Sequence, residues 1–302
     1  MFFCSRSFLC LSLFVEIAIL YKSFGVIGFM DVESKVVETI GKYKLLKKSE
    51  KVVVALSGGK DSTSVLYILK KLGYDVRGLM IDLGLGEWSK IHNRNMERFC
   101  LDSDIPLTVV DLKGELGQGI CFIKAVLKKR KGMTGCSVCG TVKRWILNRW
   151  ARKLGGDVLV TGHNLDDEAQ NVLMNFLKGN AVLGARSAPK TGQVASRKSQ
   201  VAGFVQRVKP LFFVPESEIR KYAEKMGFDI LYDRCPCAFG TYRVETRDWM
   251  SNISDGEKLK IVSGFLKIKD KLVVESELRK CVECGEPSSG ELCNFCGIVS
   301  CL

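Results

Sequence analysis

Acidic residues are missing from two long stretches of this 302-residue sequence, Lys124 to Gly156 and Lys178 to Pro215. The first holds ten Lys or Arg, among them Lys128, Lys129, Arg130, Lys131, Lys143, Arg144, Arg149 and Arg152, and the whole chain carries a formal charge of +13. Such one-signed blocks are the footprint of a polyanionic partner, nucleic acid foremost, with a solvated basic face as the plain alternative. Also missing is a clean apolar run of the roughly 20 residues that a membrane span needs. Residues 7–29, SFLCLSLFVEIAILYKSFGVIGF, are apolar, but Glu16 and Lys22 interrupt them. No small-residue cleavage site follows, so neither an anchor nor a signal peptide is expected. No internal repeat is present either.

What is abundant is cysteine. There are thirteen, six of them in x2-spaced pairs, which favours metal in a reducing compartment over a disulfide framework and points to the cytoplasm. Met30 followed by DVESKVVETIGKYKLL reads as a helix with Asp31 as its N-cap and Val32, Val36, Val37 and Ile40 on one face.

From residue 51 short β-branched runs alternate with amphipathic segments. Strands are expected at 51–56, 75–84, 106–112 and 157–163, and helices at 61–73, 88–102, 141–155 and 165–178. That alternation predicts an α/β fold, a parallel sheet with helices on both faces and ligands at the carboxyl ends of its strands. Residues 180–207 lack periodicity and read as a mobile basic loop. Order resumes at VKPLFFVPESEIRKYAEKMGFDILYD with a helix and a strand, and helical sequence continues to about 272. Residues 273–302 then form a cysteine-rich module, so the chain divides into an apolar segment 1–30, a catalytic domain 31–272 and that tail.

Between the first strand and its helix lies Ser57-Gly58-Gly59-Lys60-Asp61-Ser62. Glycines let backbone approach phosphate, the helix N-terminus offers free N–H groups, and Lys60 adds charge. The Gly-x4-Gly-Lys spacing of the usual nucleotide loop is absent. SGGKDS resembles the PP-loop of ATP pyrophosphatases, which split ATP between the α and β phosphates. That resemblance implies that Ala55, Ser57, Gly58, Gly59, Lys60, Asp61, Ser62, the second-strand tip at Ile81 and Asp82, and Gly162 hold ATP.

The tail CVECGEPSSGELCNFCG sets Cys281-x2-Cys284-x8-Cys293-x2-Cys296, two knuckles that complete a four-thiolate zinc ribbon. Cys301 falls outside that spacing. Cys136 and Cys139, at the mouth of the helix predicted over 141–155, are therefore not needed there. The other clustered thiols are Cys235 and Cys237 in YDRCPCAFG, expected to leave the sheet edge after a DILYD strand. Taken alone these residues leave four readings open: a [4Fe-4S] cluster on Cys136, Cys139 and Cys235 with one iron free, a four-thiolate zinc, a redox dithiol, or inert buried thiols.

CSVCGTVKRWILN, TGHNLDDEAQNVLMNFLKG, RVKPL and the terminal ribbon together resemble the TtuA-type tRNA 2-thiouridine synthetases from about residue 31 to the end. The resemblance implies that Cys136, Cys139 and Cys235 carry a [4Fe-4S] cluster whose free iron holds the sulfur. It further implies a donor that is a ubiquitin-like thiocarboxylated carrier protein or free sulfide, and GHNLDDEAQ looks more like the position-54 enzymes than the wobble-uridine thiolases. A homodimer is expected. The family's usual N-terminal zinc module is not expected here, since residues 1–30 offer only Cys4 and Cys10 and no His. Cys237 stands where relatives carry an aromatic, which leaves open whether it joins the cluster.

The expected reaction is attack of a tRNA uridine C2 oxygen on the α-phosphate of ATP, release of pyrophosphate, then displacement of AMP by sulfur. Mg2+ would lie near Asp61 or Asp167. Lys143, one helical turn past Cys139, would steady the adenylated intermediate, and Asp167 would handle a proton. The plain alternatives are a phosphate-backbone contact for Lys143 and a helix first-turn acid for Asp167. His163 is given no role and His92 is expected at the surface. Trp145 and Trp150 either stack on RNA or pack in the core. Rival functions are thiolation of the wobble uridine or a cytidine, a non-sulfur PP-loop ligase, and a zinc-ribbon nucleic-acid-binding protein without catalysis.

Overall fold

The computed structural model describes residues 31–133, 135–180, 184, 187–191, 204–238, 241–272 and 279–300. The apolar segment 1–30 with Cys4 and Cys10, most of the basic loop, and Cys301 lie outside them. Residues 32–302 form one compact unit.

Six strands make one sheet in the order β3-β2-β1-β4-β6-β5: β1 Lys51–Leu56, β2 Asp75–Asp82, β3 Leu107–Asp111, β4 Val158–Thr161, β5 Lys190–Thr191 and β6 Gln206–Val208. All pairs are parallel except β5 with β6. Strand β1 shows why. Val52, Val54 and Leu56 enter the core on one face while Val53 enters the core on the other, so a continuous apolar run is buried on both sides, as a parallel sheet requires. Because β2 and β4 flank β1, the winding direction reverses there, and the crevice for a ligand opens at its carboxyl end.

One face carries α1 Val32–Tyr43, α2 Lys60–Lys71 and α3 Glu87–Asp102. On α1 the buried residues are Val32, Val36, Thr39 and Ile40, whereas Val37 is exposed. One residue past Val36 rotates by about 100°, which takes the Val37 side chain off the core face. Beyond β3 come the short α4 Leu112–Leu116, then α5 Ile120–Lys131 and α6 Gly135–Lys153. Helix α6 begins six residues before the expected 141, because Val138, Val142 and Ile146 continue one apolar stripe that is fully buried. Cys136 and Cys139 consequently lie within the helix rather than ahead of it.

After α7 Leu165–Leu177, the chain returns through β5 and β6 to α8 Glu216–Lys225, α9 Tyr242–Met250 and α10 Asp255–Ile268. Two expectations fail here. Strand β5 forms inside what reads as an aperiodic loop and β6 at its far end, with Lys190 opposite Val208. The expected DILYD strand, residues 229–233, does not form. Side chains of α3 take carbonyls of this stretch instead of a neighbouring strand: Asn95 Nδ2 donates to the Asp229 carbonyl at 3.1 Å and Trp88 Nε1 to the Asp233 carbonyl at 3.4 Å. Cys235 therefore emerges from a loop.

The tail is a two-stranded ladder, β7 Arg279–Lys280 with β8 Pro287–Ser288, and α11 Asn294–Val299. It docks on α6: Asn148 Nδ2 donates to buried Glu286 at 2.6 Å, Arg152 pairs with the same carboxylate, and Trp145 stacks on Phe295 with centroids 3.9 Å apart. That stack occupies one face of Trp145, so the core alternative fits this residue better than stacking on RNA. Among the described residues no helix is long and apolar enough to cross a membrane.

Candidate active site at the carboxyl edge of the sheet

The Ser57–Ser62 turn joins β1 to α2 at the reversal point. Gly58 has φ +76°, a left-handed conformation natural to glycine, and a Cβ there would meet the His92 ring at 2.2 Å. His92 is thus buried beneath the loop, not on the surface, with its ring 4.0 Å from that of Trp88, and burial pushes its pKa below the usual histidine value. Opposite, a Cβ on Gly162 at the tip of β4 would meet the Ser62 amide nitrogen at 2.8 Å. The loop is closed internally by Ser62 Oγ, which accepts from the Ser57 N–H at 3.2 Å and donates to the Gly59 carbonyl at 3.0 Å. Helix α2 has no side-chain cap. Its first N–H groups and positive dipole end therefore face the crevice, as a phosphate site requires. Ala55 and Ile81 lie on the neighbouring strand tips, partly buried.

Gly58→Ala should forfeit about 1–2 kcal/mol through its positive φ alone and more through the His92 collision, lowering the melting temperature and weakening ATP binding. The Gly58→Ala, His92→Ala pair should recover the collision but not the strain. Additive losses in thermal melts would contradict this coupling.

Lys60 is almost completely buried, yet its ammonium contacts Glu216 Oε1 at 2.7 Å and Asp61 Oδ2 at 3.1 Å. Burial lowers its affinity for a proton, but the two carboxylates outweigh that and its pKa rises. Glu216 is paired from the other side by Arg247. Burial acts to raise its pKa, and Lys60 and Arg247 together overcome that to hold it at about 2. A depressed carboxylate pKa contributes stability above the ordinary pKa of about 4.5, and that contribution disappears as pH falls toward 2. Glu216→Gln should accordingly flatten the acid limb of the melting-temperature profile below pH 5. An unchanged acid limb would count against the ion pair.

Asp61 accepts from Asn164 Nδ2 at 3.0 Å, and its pKa is raised by burial and then by the charge of Asp167. Two carboxylates thus lie within electrostatic reach at the loop, a donor set suited to a hard cation such as Mg2+. Asp167 is also the third residue of a capping box, since its N–H donates to Asn164 Oδ1 at 3.0 Å. Its plain role is present, and Asp167 Oδ1 lies 3.6 Å from Arg243. Burial keeps His163 below the usual histidine pKa, and its Nδ1 lies 2.9 Å from Thr161 Oγ1.

Near this edge lie the thiols at the start of α6. Burial raises the pKa of Cys139, and the Lys143 and Lys124 charges oppose it, while Cys235 and Cys136 add to it. The three thiols, the two lysines and Arg144 are thereby within electrostatic range, and Arg144 feels both Arg243 and Cys139. Arg144 and Arg243 connect the thiols to Asp167 and so to the phosphate loop. Among the described residues, Cys281, Cys284, Cys293 and Cys296 are the only group of three or more His, Cys, Asp or Glu whose ligand atoms all lie within 4.8 Å of one another. This tail set could hold a single metal ion. The Cys293 and Cys296 N–H groups donate to sulfur at 3.2 and 3.4 Å, and such donors bring Cys281, despite its burial, down to about 6.

Glu216, Arg243, Arg247 and Cys121 were not singled out by the sequence. Arg243 and Arg247 could have been, since i, i+4 spacing puts both on one face of α9. Cys121, on α5, lies 3.8 Å from Cys237, sulfur to sulfur.

A glycine turn between strand and helix, with a buried lysine and two carboxylates at the reversal of a parallel sheet, defines a nucleotide-binding α/β protein with an adjoining thiol cluster. Residues 30–236 match the PP-loop domain. The chain is 38% identical over 271 residues to a tRNA-5-methyluridine(54) 2-sulfurtransferase of Pyrococcus horikoshii, covering 87% of this chain and 83% of that protein. Identity to the enzyme of the same description from Thermus thermophilus is 37%, covering 85% and 78%. Among solved structures it resembles the U34-tRNA thiolase NcsA from Methanococcus maripaludis with its [4Fe-4S] cluster, at a TM-score of 0.73, 30% identity, and 90% and 87% coverage. The chain belongs to the PP-loop family, in its tRNA sulfurtransferase branch.

Proposed function

We propose that this protein is a cytoplasmic enzyme that replaces the C2 oxygen of a tRNA uridine, at position 54, with sulfur at the expense of ATP. The observation that carries the reading is the continuity of charge from the SGGKDS loop through Asp167, Arg243 and Arg144 to Cys139. It sets nucleotide chemistry and thiol chemistry at one edge of the sheet.

In this reading the triphosphate lies against the α2 N-terminus, and Lys60 turns from Glu216 to the phosphates while Arg247 retains the Glu216 charge. Asp61 and Asp167 would hold Mg2+, which would supply positive charge to offset that of the pyrophosphate leaving group. Lys143, which has no ion pair or hydrogen bond among the described residues, steadies the adenylated uridine. Arg144, with the acid-free surface around it, meets tRNA phosphates. Cys136, Cys139 and Cys235 suit a [4Fe-4S] cluster, because three thiols spread apart rather than converging on one point can each reach a different iron. Such a cluster would supply an iron free to carry the sulfur destined for C2. The converging tail thiols suit Zn2+. The sulfur source is a thiocarboxylated carrier protein or free sulfide, and the working unit is a homodimer. The domain limits 31–272 and 273–302 follow from this division of labour.

The test is anaerobic purification followed by iron and sulfide assay, absorption spectroscopy, and mass spectrometry of nucleosides from tRNA incubated with ATP and sulfide. Expected are a brown protein and 2-thiolation at position 54 that depends on ATP. A colourless protein, or tRNA unchanged, sinks the proposal. Chelating the tail metal should lower the melting temperature and change the fluorescence of Trp145, because the module that stacks on it loses its metal-dependent fold. A melt insensitive to chelation would argue against zinc there.

A further inference from the structure

The pair Cys121 and Cys237 belongs to neither metal set. Cys121 is exposed in the first turn of α5, Cys237 sits in a turn just after Cys235, and their sulfurs are 3.8 Å apart. A disulfide requires about 2.05 Å, so closure asks for a shift of less than ~2 Å between an exposed helix end and a turn. Cys235 lies within electrostatic reach of both Cys121 and Cys139, so the pair borders the three-thiol site. We propose that Cys121 and Cys237 form a dithiol site that reduces sulfane sulfur, delivered as a persulfide, to hydrosulfide beside the three-thiol centre.

The purpose of this chemistry rests on the thiolation reading, although the chemistry does not. Sulfur installed at C2 must arrive at the oxidation level of sulfide, and a persulfide's outer sulfur is two electrons too oxidised. The Cys121 sulfur attacks the outer sulfur of R–S–SH; the donor's S–S bond breaks and R–SH leaves with a proton. The Cys237 sulfur then attacks the Cys121 sulfur of the new Cys121–S–SH. That S–S bond breaks, the outer sulfur departs as hydrosulfide with the electron pair, and a Cys121–Cys237 disulfide remains. In sum, R–S–SH and two thiols give R–SH, hydrogen sulfide and one disulfide, and an external dithiol reductant restores the pair. Attack begins at Cys121 because that sulfur is the exposed one. Cys237 is thereby assigned to Cys121 rather than to the cluster, and the cluster keeps three protein ligands.

The experiment takes the full chain with its metals in place and its free thiols reduced, and adds one equivalent of glutathione persulfide without further reductant. Hydrosulfide is assayed, and thiols are alkylated for peptide mass spectrometry. Expected are a burst approaching one hydrosulfide per chain and a peptide linking Cys121 to Cys237. C237S should release none above the protein-free background and retain a trapped persulfide on Cys121. C121S should do neither. C136S, C139S and C235S combined should keep the burst while losing tRNA thiolation, so this proposal and the thiolation reading fail by different results. Hydrosulfide release from C121S or C237S equal to that of the unaltered chain, or a disulfide joining Cys136, Cys139 or Cys235 instead, overturns the assignment. The linked peptide is read on the unaltered chain, so the test does not depend on either variant folding.

Discussion

Cys139→Ser is expected to abolish 2-thiolation while leaving ATP binding intact. Cys139 lies on α6, and nothing in the phosphate loop bonds to it, so nucleotide affinity has no reason to fall. Its thiol packs against the core and is the one on which Cys136, Cys235, Lys143 and Lys124 all act. Substitutions around metal ligands typically diminish affinity or activity 10–100-fold, so loss of a ligand itself should reach at least the upper end, about a hundred-fold. Iron content after anaerobic reconstitution should fall with it. ATP affinity measured by calorimetry and thionucleoside yield measured by mass spectrometry separate the two effects. Wild-type thiolation by Cys139→Ser would remove the thiols from the reaction.

Lys60→Ala should act on the other half of the site, reducing AMP formation by on the order of 10²–10³, the range found when one preorganised group stabilising developing charge is removed. The loss should appear mainly in kcat, because the α2 N–H groups continue to bind phosphate. Lys60→Arg should not rescue, since the burial of Lys60 leaves no room for a planar guanidinium. Glu216→Gln should shift ATP affinity the opposite way, because Lys60 is then freed of its strongest competitor for phosphate. If Lys60→Ala retains full adenylation, the phosphate role of this lysine is wrong.

How much of this was legible in the sequence depended on how local each cause was. Strand β1, the SGGKDS turn and the Cys281–Cys296 spacing can be read directly, because period, glycine and ligand spacing act over a few residues. The DILYD stretch misleads because its β-branched and aromatic content says nothing about whether a strand partner is within reach, and its Asp229 and Asp233 carbonyls go to side chains of α3. His92 could not be placed beneath Gly58, since a clash across 34 residues has no sequence signature. For the same reason Glu216 and Arg247 escape notice until α8 and α9 are brought against the phosphate loop. Cys237 reads ambiguously beside Cys235; its neighbour Cys121 lies 116 residues away.

The ion pair between Lys60 and Glu216 spans 156 residues of chain. During synthesis at about 5–20 residues per second, domains fold from the N-terminus as they emerge, and strands β1, β2 and β3 can associate early. Lys60 then has only Asp61 as counter-charge for roughly ten to thirty seconds until Glu216 emerges. The order of emergence therefore makes the carboxyl half of the chain, rather than the motif itself, the timer for assembly of a working nucleotide site.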